Sequence, residues 1–239
     1  MNLTLDIGNS NTKLAVFEEK TKVLFAMLNT FDREGFEKII SDFVFNKAII
    51  SSVRVTPEFV IDILFSQNVF THILSYKSKL PFEIQYKTPE TLGSDRIANL
   101  AGAFNLFPNE NILVIDAGTA ITYDFLINGV YKGGNISPGI NTRLKALHNF
   151  TNKLPLVSAN ENFDSPGQTT RDAILSGVIN GTIYEIKEYI CTFKKKYKNN
   201  KIILTGGNSE YINAKLNNQA VRVFDLVNEG LNYILEYNA

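Results

Sequence analysis

Leu3-Thr4-Leu5-Asp6-Ile7-Gly8-Asn9-Ser10-Asn11-Thr12-Lys13 is matched in pattern by Leu113-Val114-Ile115-Asp116-Ala117-Gly118-Thr119-Ala120-Ile121-Thr122-Tyr123. Each is an apolar strand-like run, then Asp-x-Gly, a small polar residue, and a threonine six positions after the aspartate. The two aspartates lie 110 residues apart in a chain of 239. A period close to half the chain signals a duplicated fold, whereas a solenoid repeats every 20–50 residues. Two domains are therefore expected, 1–111 and 112–239.

The surrounding pattern agrees. Strand-like runs fall at 2–6, 12–18 and 23–29, followed by a helix near 34–45 and a strand at 47–52. Thr56-Pro57 opens another helix, with the proline in a first turn where its missing N–H costs nothing, and 69–74 reads as a strand. The second half repeats this with strands near 112–116, 121–127 and 129–132. A helix over 170–197 carries Ile174, Val178, Ile186, Ile190 and Phe193 on one apolar face. Strand 201–205, helix 209–217, strand 220–224 and helix 226–237 complete it. This order is that of a paired ribonuclease-H-like α/β fold, each domain a mixed sheet flanked by helices. Residues 151–169 show neither periodicity, and a loop of that length in a compact chain is usually functional or mobile.

Each Asp-x-Gly ends a strand and begins a tight turn. Glycine lets backbone approach a phosphate, and small hydroxyl or amide side chains after it donate to phosphate oxygens. A carboxylate at the strand end suits Mg²⁺ held through water, and Lys13 adds a point cation. Two such turns facing each other from duplicated domains would make a nucleotide cleft. Thr205-Gly206-Gly207-Asn208 ends a third strand, where a glycine pair would let backbone lie flat against adenine or ribose; a plain strand-to-helix turn reads equally well. Gly133-Gly134-Asn135-Ile136-Ser137-Pro138-Gly139 leads into a helix containing Arg143, Leu144 and Leu147.

Tyr86-Lys87-Thr88-Pro89-Glu90-Thr91-Leu92-Gly93-Ser94-Asp95-Arg96 precedes Ile97, Leu100, Ala101 and Phe104 at helical spacing, so Ser94 or Asp95 begins a helix. The positive helix end, and Arg96 if so oriented, would keep Asp95 ionised. Such a carboxylate orients an alcohol and takes its proton in phosphoryl transfer, or it simply caps the helix.

Hydrophobic residues make up 44% and charged residues 20%, with 24 Lys plus Arg against 24 Asp plus Glu. A net charge of zero gives no electrostatic reason to expect nucleic acid or an anionic membrane. No apolar run approaches the ~20 residues of a membrane span. A start without a signal-peptide pattern and a single cysteine, Cys191, lead us to expect a cytoplasmic protein. His72 and His148 have no partner at chelating spacing, and neither Gly-x-x-x-x-Gly-Lys-Ser/Thr nor Gly-x-Gly-x-x-Gly occurs.

Taken in order, Asp6-Ile7-Gly8-Asn9-Ser10, Leu92-Gly93-Ser94-Asp95-Arg96, Asp116-Ala117-Gly118-Thr119-Ala120-Ile121-Thr122 and Gly133 to Gly139 resemble type III pantothenate kinases of the actin-like ATPase superfold. The resemblance implies an enzyme that phosphorylates pantothenate with ATP, Mg²⁺ and a monovalent cation, K⁺ or NH4⁺. It implies that Asp6, Ile7, Gly8, Asn9, Ser10, Asn11, Thr12 and Lys13 bind ATP and Mg²⁺, with Thr119, Gly206 and Gly207 also on the nucleotide. It makes Asp116 the monovalent-cation ligand and Asp95 the proton acceptor. Tyr86, Gly93, Ser94, Asp95 and Arg96 would bind pantothenate, with Thr170 (or Thr169) reaching it across a homodimer interface. A sugar kinase, an actin-like nucleotide switch and a regulatory accessory protein are the alternative readings.

Overall fold

In the computed structural model, which describes residues 1–238, each half opens on an antiparallel hairpin. In the first, β1 (Asn2–Ile7) pairs with β2 (Thr12–Glu18), and β3 (Thr21–Leu28) pairs with β2 on its far side. Helix α1 (Arg33–Ile40) crosses to β4 (Lys47–Ser52), which runs parallel to β1. Asp32 caps α1 by accepting from Gly35 N at 2.8 Å. Helix α2 (Glu58–Ser66) then leads to β5 (Phe70–Ile73), parallel to β4, giving the sheet order β3-β2-β1-β4-β5. Several element boundaries differ from expectation, two of them at the helices of this half. Helix α1 ends at Ile40, short of the expected 45, with Phe45 buried in the core, and Pro57 occupies the N-cap position before α2.

Strand alternation explains how β1 is seated. Leu3, Leu5 and Ile7 enter a core with Leu14, Val16, Phe36, Ile50 and Leu64. Asn2, Thr4 and Asp6 form the other face and are also buried. Asn2 and Thr4 are covered by the last helix, α7 (Leu226–Asn238), which follows β6 (Glu83–Ile84), α3 (Ser94–Leu106) and the second half in the chain. Asn2 Nδ2 donates to Asn232 Oδ1 at 2.9 Å and Thr4 Oγ1 to Asn228 Oδ1 at 2.8 Å, so the polar strand face meets polar helix residues. Buried polar groups are tolerated when paired in this way.

The second half comprises β7 (Asn111–Ala117), β8 (Ala120–Ile127), β9 (Val130–Pro138), α4 (Ile140–Asn149), α5 (Thr170–Lys196), β10 (Asn200–Thr205), α6 (Ser209–Lys215) and β11 (Val221–Arg222). Its sheet runs β11-β10-β7-β8-β9, and β6 pairs with the first residues of β9. The apolar stripe expected on α5 is buried at Ile174, Val178, Ile186, Ile190 and Phe193. Among the described residues, no helix is long and apolar enough to cross a membrane.

The packing units are discontinuous where the sequence suggests one cut after residue 111. One comprises Met1–Asn109, Ile127–Lys132 and Asp225–Ala239; the other comprises Glu110–Leu126 and Gly133–Phe224. The C-terminal piece joins the first unit because α7 packs on α3 and β1, and Ile127–Lys132 because Val130 and Tyr131 pair with β6. The backbone of α7 comes so close to α3 that a Cβ on Gly230 would fall on the Ala98 carbonyl and lie 2.7 Å from Gly102 N.

Candidate active site

The first Asp-x-Gly turn lies in the first unit. Asp6 is 7% exposed and is the register partner of Lys13, whose Nζ stands 3.6 Å from Asp6 Oδ2. The turn closes with Gly8 N donating to Asn11 O at 3.0 Å, while Asn9 and Ser10 are exposed. The parallel neighbour β4 ends at the same edge. Val53 N donates to Ile7 O at 3.2 Å, and the Arg54 guanidinium reaches Thr12 Oγ1 at 3.4 Å. Arg54 therefore supplies a second cation to this turn, which the motif reading did not name. Its signal was positional: residues following a parallel neighbour of β1 share its carboxyl edge.

The acceptor candidates assemble in the same unit. Helix α3 begins at Ser94 after Gly93, and Asp95 is in its first turn. Asp95 Oδ1 accepts from Arg96 N at 2.9 Å, so the carboxylate is held at the positive end of the helix. Gly93 occupies the N-cap position, so Asp95 is not the capping residue. Arg96 is 6% exposed and donates to Tyr131 Oη at 2.8 Å. The Tyr86 ring stacks on Tyr131 with centroids 5.8 Å apart and planes at 29°. Tyr86 and Arg96 are thus brought together by Tyr131, a residue that sequence reasoning missed. Its placement depends on the pairing of Ile84 with Tyr131, and a two-residue strand has no readable periodicity.

In the second unit Asp116 pairs with Thr122, and Gly118 N donates to Ala120 O at 2.9 Å. The first hairpin instead pairs Asp6 with Lys13 and Ile7 with Thr12. The matched letters hide one extra residue in the first turn, so Thr12 and Thr122 occupy different ladder positions. Directly paired residues share a sheet face, which puts Thr122 beside Asp116. Thr122 Oγ1 is buried and makes no hydrogen bond among the described residues. A carboxylate with an unsatisfied hydroxyl is a donor set that fits a hard cation.

Two glycine segments converge on that turn. Gly206 has φ +91°, and a Cβ there would fall on Asp116 Oδ1 and lie 2.7 Å from Ala117 backbone atoms. Gly139 N donates to Thr119 O at 2.9 Å, and its missing Cβ is what admits the Gly118 carbonyl. Thr142 Oγ1 also donates to Thr119 O, at 2.6 Å. Gly207 borders open space, as a ligand-facing backbone position requires.

Arg143 braces the approach to Gly139. It donates to Pro138 O at 2.7 Å, to Ser137 Oγ at 2.5 Å and to Glu185 Oε2 at 2.5 Å. Tyr123 Oη donates to Glu185 Oε1 at 2.7 Å while its ring stacks on Tyr189 at 3.8 Å. Burial opposes the charge on Glu185, but bonds from Arg143, Tyr123 and Ser137 outweigh it and hold the carboxyl below the usual range. Burial, and then the bond to Glu185, push the Tyr123 phenol upward. A depressed carboxyl stabilises the fold above its unfolded-state pKa, and this support fades as pH falls through the folded value. Replacing Glu185 with Gln should therefore lower Tm most near pH 7, with the gap closing below about pH 4. Scanning calorimetry across pH checks this; a gap independent of pH would remove Glu185's charge from the account.

Thr169 caps α5, accepting from Asp172 N at 3.1 Å and donating to Asp172 Oδ2 at 2.7 Å. That hydroxyl is committed to the helix, while Thr170 is exposed on the first turn. The segment before it borders, with Asn180, Tyr211 and Lys215, a cavity of about 530 Å³. His72 contacts Ser78 Oγ and His148 contacts Leu154 O, both at 2.8 Å.

A model of the type III pantothenate kinase family matches residues 2–192, which include both Asp-x-Gly turns and the Gly93–Arg96 element. The chain belongs to the type III pantothenate kinase family. The type III pantothenate kinase of Bacteroides fragilis is 42% identical over 239 residues, covering 100% of this chain and 98% of that protein. A solved structure from Campylobacter jejuni, described as a conserved Baf family transcriptional activator, has a TM-score of 0.63 at 26% identity. It covers 99% of this chain and 98% of its own. A solved structure from Listeria monocytogenes, described as an N-acetylmannosamine kinase, has a TM-score of 0.59 at 11% identity, with 99% and 98% coverage. That last likeness shows the fold alone, the α/β actin-like ATPase arrangement of two mixed sheets flanked by helices.

Proposed function

We propose that this chain transfers the γ-phosphoryl group of ATP to the primary alcohol of pantothenate, forming 4'-phosphopantothenate at the first step of coenzyme A biosynthesis. The observation that carries this reading is the Gly93–Arg96 element at the start of α3, linked through Ser51 to Asp6 of the first phosphate turn. The duplicated halves 1–111 and 112–239 each contribute one phosphate turn. Residues Asp6 to Lys13 bind the nucleotide phosphates, with Lys13 and Arg54 as cations, and Thr119, Gly206 and Gly207 take the rest of the nucleotide. Asp6 would hold Mg²⁺ through water, and Asp116 with Thr122 would hold K⁺ or NH4⁺. These ions supply charge neutralisation around the triphosphate.

Asp95 accepts the hydroxyl proton as the alcohol oxygen bonds to the γ-phosphorus and the bond to the β-bridging oxygen breaks, releasing ADP. Tyr86, Gly93, Ser94 and Arg96 orient pantothenate, so positioning and electrostatics carry most of the acceleration. Thr170 completes the acceptor site in a cytoplasmic homodimer. The test is ADP release with Mg·ATP and K⁺, comparing pantothenate with sugars and acetamido sugars. Release should require pantothenate. Preference for a sugar would replace the acceptor, and slow release indifferent to any acceptor would favour a nucleotide switch.

A further inference from the structure

Ser51 is fully buried at the carboxyl end of β4 and belongs to none of the phosphate or acceptor motifs. It is the register partner of Asp6. Its hydroxyl lies 3.4 Å from Asp6 Oδ1 and 2.9 Å from Ser94 Oγ, and Ser94 Oγ is in turn 3.3 Å from Ser52 O. All four residues lie in the first unit.

With the 2.9 Å contact between Ser51 and Ser94 kept as a hydrogen bond, proton counting leaves this chain two arrangements. Each serine hydroxyl has one proton, whereas an ionised carboxylate and a carbonyl only accept. In one arrangement Ser94 donates to Ser51 and Ser51 donates to Asp6. In the other Ser94 donates to Ser52 O, Ser51 turns its proton to Ser94, and Asp6 loses that bond. An ionised acceptor makes the stronger bond, so the charge of Asp6, which Lys13 offsets only in part, favours the first. A cation arriving at Asp6 offsets that charge and favours the second. The two arrangements leave Ser94 with different lone pairs toward a ligand.

We propose that Ser51 is a positioning residue that couples occupancy at Asp6 to acceptor binding at Ser94. This rests on the reading in which Asp6 meets the Mg·nucleotide and Ser94 meets pantothenate. Calorimetric titration of pantothenate into the full-length protein, with and without Mg²⁺ and a non-hydrolysable ATP analogue, measures the coupling as a ratio of affinities. The unsubstituted protein should show a change of about fivefold or more. Ser51→Ala should bring the ratio to within about 1.5-fold of one, while Ser51→Thr, which keeps the hydroxyl, should restore it. Ser51→Cys serves the same comparison should the alanine chain not fold. A ratio unchanged in Ser51→Ala, or absent from the unsubstituted protein, overturns the coupling and leaves the kinase reading standing. Failure of the unsubstituted protein to bind pantothenate in either state overturns both.

Discussion

Asp95→Asn should lower turnover with pantothenate by roughly 10²–10⁴-fold and leave the affinity for a non-hydrolysable ATP analogue within about twofold. The local geometry makes this substitution informative. Asp95 Oδ1 accepts from Arg96 N, and an asparagine Oδ1 keeps that bond, so the start of α3 has no reason to move. What is lost is the negative charge and the basicity. Single-turnover rates and calorimetry with the analogue separate the two effects. Turnover within tenfold of the unsubstituted protein would take Asp95 out of the proton-acceptor role, whatever the acceptor.

The second large effect concerns the fold. Gly230→Ala should destabilise the protein by about 3 kcal/mol, against a helix-propensity gain of about 1 kcal/mol for the same change at an open site. The new Cβ would fall on the Ala98 carbonyl, and backbone cannot step aside as a flexible side chain does. α7 would have to lift from α3, withdrawing its cover from Asn2 and Thr4. For a chain of this size the expected fall in Tm is about 6–12 °C. Gly181→Ala in α5 is the control, because nothing lies within 4 Å of its added Cβ. It should be neutral or stabilising, and equal effects at the two positions would refute the close-contact account.

Most of the strands, the long helix and both Asp-x-Gly turns were legible because each is encoded by neighbours in sequence. Alternation places Leu3, Leu5 and Ile7 inward, and 3.6-residue spacing builds the buried stripe of α5. What could not be read depends on register between distant segments. Ser51 and Arg54 matter because β4 lies parallel to β1, and Tyr131 because β6 pairs with β9. Asn228 and Asn232 on α7 look like a solvated helix face by composition, yet they are buried because they answer the polar face of β1. Matching letters also concealed the extra residue in the first turn, since sequence alignment counts positions and not ladder partners.

The seating of α7 on β1 also sets a timetable for synthesis on the ribosome. All of Glu110–Phe224 has been made before residues 226–238 appear, so the second unit has its complete set of strands first. Until α7 is made, Asn2 lacks its Asn232 partner and Thr4 has Ala15 O but lacks Asn228. The unit begun first is thereby the last to receive all its elements.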